Sequence, residues 1–561
     1  MRTTFAIAGP FGLLGALLAL AGCNFAPHYE PPKNVAATAF KEAVPSNAPA
    51  QGWKLADPRD AAIRSAWWEV YQDPQLNDLE SRVEISNQTV AGAEANYRAA
   101  RALVQQSEAA FYPTLTVNPS VVRSRSSAAG VLAGGVAGSA TPSVGGSTTT
   151  SATTTQLGGV STSPRTIYSL PLEASYQVDL WGSIRNTVAQ NRYAALASAA
   201  QVATALLSTQ SQLAQDYFQL RITDEQRRLL DTTLADYQAS LHLVMTLFKG
   251  GLASDEDIAQ ANTQLESAKA QATDLGIARA QYEHAIAVLI GVPPVQFSLP
   301  YRHFNQALPA VPVGVPSDLL ERRPDIATAE RQVAASNAAI GIARAAYFPA
   351  LTLSGSAGYE STAISQLFAW PNRFWSFGPE LAQTLLDGGA LRAATAQARA
   401  LNDQAVANYR QTVLAAIQSV EDNLASLRIL AQELTEQHSA ALAGQHNVAL
   451  SVTRYRNGID SYVNVITAQN AFLTAREAEL QVQIRQLTAS VNLINNLGGG
   501  WSTSDWDRTE RMAQNPPGLG KDPQMPAQNS GAIPNPPPLP NQELHPEELL
   551  KQNAADMSPP P

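Results

Sequence analysis

AAFYPTLTV at 109–117 returns almost unchanged as AAYFPALTL at 345–353, and the likeness extends in both directions. Gly182 has its counterpart in Gly389, Arg185 in Arg392, Gly251 in Gly458 and Gly291 in Gly498, each pair 207 positions apart. The chain is an internal duplication, the pattern that constrains every other reading. Pro113 and Pro349 are instead 236 apart, so the first copy carries 29 additional residues between Pro113 and Gly182. The excess falls in 124–163, a run of Ser, Gly, Ala and Thr with the composition of a solvated loop.

Around the repeated segments the sequence alternates. Residues 168–179 do so with only Pro171 off the pattern. Leu115, Val117, Pro119 and Val121 alternate with polar neighbours, as do Leu351, Leu353, Ala357 and Tyr359; Trp375, Phe377, Pro379 and Leu381 form a weaker fourth run. These read as four strands with one apolar face. Lipid outside and water inside explains such a pattern over roughly 9 to 11 residues, and half-buried strands of a soluble sandwich alternate likewise. Prolines in three of the runs mark an unusual sheet. Four strands cannot close a barrel, because the smallest bacterial ones have about eight and an open edge in lipid leaves amides unpaired. Two chains give eight strands filled by side chains, and three give twelve with room for a pore.

The rest of the repeat is helical, nearly free of Pro and Gly over 183–249 and 390–457, runs of 67 and 68 residues. Each would reach about 100 Å. After breaks at Gly250-Gly251 and at Gly458, shorter helices of 39 residues are predicted over 252–290 and 459–497, and helices of 25 residues over 88–112 and 324–348 climb back to the strands. Two stacked short helices thus match one long one. Asn87 as N-cap and Pro324 at the first helical position start the upper pieces.

The ends differ in kind. Arg2, an apolar stretch over 5–20 and Leu20-Ala-Gly-Cys23 form a secretory signal too short to span a bilayer. Cys23 is the sole cysteine, so it forms no internal disulfide; its setting resembles a bacterial lipobox, which implies acylation, including palmitate, on Cys23. Asn24 implies sorting to the outer membrane. With 15% charged residues and net charge -9, nucleic acid is excluded as a natural partner. From Asp505 the chain turns polar and then proline-rich, the composition of a disordered tail, with a PxxP docking segment as the alternative.

The repeat architecture, with PSDLLERRPD at 316–325, DLWG at 179–182 and RYRNG at 454–458, resembles the outer-membrane efflux protein family (TolC/OprM-like), close to its NodT-type lipoproteins. The resemblance covers 23 to about 500. It implies a mainly α fold with membrane β: a homotrimer whose 12-stranded β-barrel continues into a periplasmic α-helical barrel, with an equatorial girdle from 57–86, 292–317 and the C-terminal segment. The implied organisation is a signal peptide at 1–22, a lipidated segment at 23–86, repeats at 87–317 and 318–500, and an equatorial end and tail at 501–561. It also implies function: a passive outer-membrane exit duct of a tripartite pump, fed by an inner-membrane transporter of the resistance-nodulation-division type through a periplasmic adaptor. A type I secretion duct and a lipid-anchored coiled-coil scaffold are the alternatives; the alternating strands would be pointless in a scaffold.

Chemistry is sparse. No P-loop, GxSxG elbow or HExxH occurs; no catalytic set and no cofactor site is expected, so the chain reads as a non-enzyme. His438 and His446 lie near one helical face without a carboxylate or Cys partner suited to zinc. Asp255-Glu256-Asp257 reads as a helix start capped by Ser254, and also as a site tuning cation entry. The turns Gly250-Gly251-Leu252-Ala253-Ser254 and Gly458-Ile459-Asp460-Ser461 are the expected adaptor-docking tip. Arg454 and Tyr455, just before the second turn, read either as a periplasmic gate or as a solvated helix end. Thr467 stands where close relatives have a pore-facing aspartate, which implies a less acidic constriction.

Overall fold

The computed structural model of the chain describes residues 25–32, 40–42, 66–125, 164–304, 309 and 323–499. Its elements follow the repeat. Before it comes α1 (Pro74–Ser86). The first copy contains α2 (Gln88–Glu108), β1 (Thr114–Val117), β2 (Ser120–Ser124), β3 (Arg165–Val178), α3 (Ser183–Lys249) and α4 (Asp255–Leu289). The second contains α5 (Pro324–Ala345), β4 (Ala350–Ser361), β5 (Arg373–Ala382), α6 (Ala390–Arg456) and α7 (Tyr462–Asn496). Cys23, residues 126–163 of the predicted loop, 57–65 and 310–317 of the predicted girdle, and the tail from 500 onward lie outside the described residues.

The long helices α3 and α6 each run 67 residues, about 100 Å. They start alike. Gly182 and Gly389 take positive φ, and the Asp179 carboxylate accepts from the N–H groups of Ile184 and Arg185 while Asp387 accepts from those of Gly389 and Leu391. A carboxylate a few residues upstream thus satisfies helix-start amides that no N-cap side chain reaches. Asn87 caps α2 through the N–H groups of Thr89 and Val90, and Pro324 opens α5.

Several boundaries differ from the sequence expectation, and α5, expected to reach 348, ends at Ala345. Helices α4 and α7 begin at Asp255 and Tyr462, because three residues after each Gly are spent turning the chain. Helix α2 ends at Glu108, where Ala109–Phe111 tightens into a 3-10 turn. The first strand is two, β1 and β2, broken at Asn118-Pro119, so the sheet has five segments in four ranks. The cause lies across the ladder. The Pro171 carbonyl accepts from Asn118 N–H at 3.3 Å, so its backbone faces this strand, yet proline has no N–H to return.

All pairings are antiparallel, in the order β1 and β2, β3, β4, β5. Residues directly opposite share a face. One face carries Leu115, Val117, Val121, Leu170, Leu172, Leu351, Leu353, Trp375, Phe377 and Leu381; the other carries Thr116, Ser169, Ser175, Thr352, Ser354, Ser356 and Ser376. Among the described residues the outer ranks, β1 with β2 and β5, each keep one unpaired edge.

Helix α3 packs on α2, α4, α5 and α7, and α6 on α5 and α7. The main core lies midway along the long helices, where Trp67, Tyr71, Leu76 and Val83 meet Tyr217, Phe218, Val420, Leu424 and Leu487. Val292, Phe297, Leu299 and Phe304 pack there too, which is where the described part of the predicted girdle sits. Among the described residues no helix is long and apolar enough to cross a membrane.

Candidate functional site

The expected docking turns are built alike. Gly251 and Gly458 have φ of 74° and 68°, and no heavy atom lies within 4 Å of where a Cβ would stand on either. The N–H of Gly251 donates to Phe248 O at 2.9 Å and that of Leu252 to Leu247 O at 2.8 Å; Gly458 and Ile459 do the same to Tyr455 O and Arg454 O, both at 2.9 Å. These paired bonds close the last helical carbonyls, and only the left-handed residue between them is demanding, which glycine supplies. Gly250 itself stays right-handed, with φ of -85°. Leu252 and Ile459 stand out from the turns, 78% and 64% exposed, whereas Ala253 is half-buried.

Ser254 accepts from Asp257 N–H at 3.2 Å and its own N–H donates to the Asp257 carboxylate at 3.0 Å, a reciprocal cap. Asp257 is thus occupied in ending the turn, with Asp255 and Glu256 in the same first helical turn. Among the described residues no cluster of His, Cys, Asp and Glu could hold a metal.

Arg454 and Tyr455, adjacent in sequence, part company. The exposed Arg454 donates Nε to Asp460 at 3.2 Å, within its own turn. The Asp460 carboxyl is held below the usual carboxylate range, first by the Asn464 amide, then by Ser461 N–H and the Arg454 guanidinium. Tyr455 turns inward to Tyr462, ring centroids 5.2 Å apart, into a cluster with Val244, Ala261 and Val465 that joins the two hairpins. Its hydroxyl is buried without a partner among the described residues. Burial pushes the Tyr455 phenol up, and pushes that of Tyr462 up to about 12. Thr467 is exposed, its hydroxyl bonded to Val463 O at 2.8 Å.

The histidine expectation is corrected in one respect: His438 has a carboxylate partner, its Nδ1 lying 2.9 Å from Glu479 of α7, which also pairs with Arg476. The partner is 41 residues away on another helix, beyond the reach of local spacing.

Two groups that the sequence reading missed act at long range. Arg221 is fully buried, reaching Asp224 at 2.9 Å and Pro300 O at 3.0 Å, while Arg279 of α4 meets the other oxygen of Asp224 at 2.8 Å. This network ties 292–304 to the long helix. Phe25, two residues beyond Cys23, stacks on Phe348 at 4.4 Å; Phe348 in turn stacks on Trp181, and Arg344 donates to Phe25 O at 3.2 Å. That trio sits where helices give way to strands.

The outer membrane efflux protein model matches residues 79–292 and 315–499. The chain belongs to that family. Outer membrane efflux proteins similar to it include the toluene efflux pump outer membrane protein TtgC of Pseudomonas putida, 30% identical over 484 residues spanning 86% of this chain and 93% of the relative. The pyoverdine export outer membrane protein OpmQ of Pseudomonas aeruginosa is also 30% identical, over 81% of this chain and 92% of the relative. Among solved structures, the outer-membrane channel OprN superposes with a TM-score of 0.74 at 26% identity, covering 85% of this chain and all of OprN. The open MtrE channel of Neisseria gonorrhoeae gives 0.68 at 25% identity, over 85% and 98%. The resemblance seen in the sequence therefore holds, and this efflux protein is an outer-membrane channel component of an efflux pump.

Proposed function

We propose that three copies of the chain assemble into one duct, each contributing its sheet to a twelve-rank barrel in the outer membrane and its helices to a periplasmic tube. The observation that carries this is the sheet itself. It has an apolar and a polar face, and its outer ranks keep unpaired edges that lipid would not tolerate. Joining β5 of one copy to β1 and β2 of the next removes every edge. Transport is passive, with energy supplied by an inner-membrane transporter of the resistance-nodulation-division type through a periplasmic adaptor. The exposed Leu252 and Ile459, beside Gly251 and Gly458 and flanked by Ser254, Asp460 and Ser461, are the adaptor's contact; Arg454, Tyr455 and Thr467 belong to the constriction that precedes it. Acylated Cys23 anchors the chain, a reading supported by Phe25 packing at the helix–sheet junction. The repeats 87–317 and 318–500 act as two equivalent units, six in the trimer, each spanning a sixth of the turn. Cargo follows the pump partners: small organic compounds are the expected class, as toluene is for the pump of the relative TtgC.

Purified full-length protein tests the reading in planar bilayers and on gels. Discrete conductance steps and a trimer-sized band that collapses on boiling are expected. Protein that stays monomeric and leaves the bilayer silent refutes it.

A further inference from the structure

The charged residues of the strands divide cleanly between the two faces. Register places Glu173 opposite Thr116 and Ser356, Glu360 opposite Ser169, Glu380 opposite Thr352 and Arg165 opposite Ser124, all on the polar face. The apolar face carries two charges, Arg123 opposite Thr166 and Arg373 opposite Tyr359. Both stand at the hairpin end of the sheet, away from the helices: Arg123 near the end of β2 and Arg373 at the start of β5. No carboxylate shares that face in the described strands.

Neither arginine has an acidic partner among the described residues. The Arg373 guanidinium lies over the Trp370 ring and donates Nε to Trp370 O at 3.2 Å, which fixes its plane and leaves the outer N–H groups free. Around it, Trp370 is 75%, Trp375 80% and Phe368 70% exposed, and Tyr168 and Tyr359 share the arginines' face. Large aromatics with polar tips gather where hydrocarbon meets headgroups. An arginine at that depth reaches the headgroup layer, and its planar fork matches a phosphate.

We propose that this rim binds the phosphate groups of outer-leaflet lipid headgroups, with Arg123 and Arg373 as the two contacts and the aromatic collar holding the acyl chains beneath them. The inference rests on the reading that the sheet spans the outer membrane with its hairpin loops outward. It commits to a membrane lipid because both arginines stand on the apolar face, whereas a soluble anion would be met by charges lining the polar one. Arg165, on the polar face at the same end, takes no part.

Full-length protein in detergent micelles is titrated with bis-phosphorylated lipid A, with the same lipid stripped of both phosphates, and with inorganic phosphate, and retained lipid is read by native mass spectrometry. Wild-type protein should retain the phosphorylated lipid preferentially. R123Q with R373Q should lower that retention about thirtyfold, at the scale of two surface cation contacts, while leaving the dephosphorylated lipid unchanged; R123K with R373K should keep most of it, and R165Q all of it. Equal retention of the two lipids by the wild type overturns the proposal without any variant. So does displacement by inorganic phosphate at the lipid's own concentration, which would assign the site to a free anion. Bilayer conductance of the same preparations separates the two readings: a conducting channel with no lipid preference sinks this inference alone, and protein that neither conducts nor assembles sinks the membrane reading beneath it.

Discussion

Substituting the glycines of the two tip turns separates backbone strain from surface bulk. At Gly251 and Gly458 a Cβ meets nothing within 4 Å, so Ala and Trp incur the same penalty for holding a left-handed φ of 74° or 68°. That penalty is roughly 1–2 kcal/mol. It acts locally, on the amides of Gly251 and Leu252 or of Gly458 and Ile459, which close the helix ends. Their hydrogen exchange should rise about 5–30-fold in Gly251→Ala and Gly458→Ala while the rest of the chain is unaffected. Trp adds only a ring projecting into solvent. If the turns seat the adaptor, both Ala variants keep efflux and adaptor cross-linking, and both Trp variants lose them in an assembly of normal size. Ala variants as inactive as Trp would show that turn conformation matters and bulk does not. Trp variants exporting normally from intact assemblies would refute the tip assignment outright.

Other outcomes are expected. Gly291→Ala should cost about 2–4 kcal/mol, since its Cβ would stand 2.3 Å from Ser86 O at a φ of 70°, adding overlap to left-handed strain; recovery of folded protein measures it, and a normal yield contradicts the close α1–α4 approach. Burial alone pushes the Glu80 carboxyl well above its ordinary range, and neither oxygen has a partner among the described residues. The folded state therefore binds this proton more tightly than the unfolded one, so stability falls as pH rises through and above the ordinary carboxylate range. Glu80→Gln should remove that slope, its gain in unfolding half-life being larger at pH 8 than at pH 5; equal gains would place the carboxylate in water. Tyr455→Phe deletes a buried hydroxyl with no partner and Arg454→Ala an exposed pair worth at most about 1 kcal/mol. The double variant should assemble normally but admit large antibiotics, and unchanged uptake would leave Arg454 a mere helix end. Cys23→Ala should abolish palmitate labelling; retained label places the anchor elsewhere.

Local physics made much of this protein legible in its sequence. Helix length is written in uninterrupted runs of helix formers, and the 67 residues of α3 were read correctly because Gly182 and Gly250-Gly251 bracket them. The reciprocal cap at Ser254 and Asp257, and the Asn87 cap, depend on residues two or three apart. The two faces of the sheet follow from strict alternation, and the family from paired motifs at a fixed offset. Tertiary structure decided what depends on partners far along the chain. Proline at 171 breaks a strand some fifty residues earlier, because the missing N–H is felt across the ladder. Tyr455 leaves its neighbour Arg454 to meet Tyr462 and Val244, His438 finds Glu479, and Phe25 finds Phe348 and Trp181. Sequence spacing fixes the direction of a side chain within its own helix or strand; whether that direction ends in water, lipid, a carboxylate or another ring is set by which distant element has packed there.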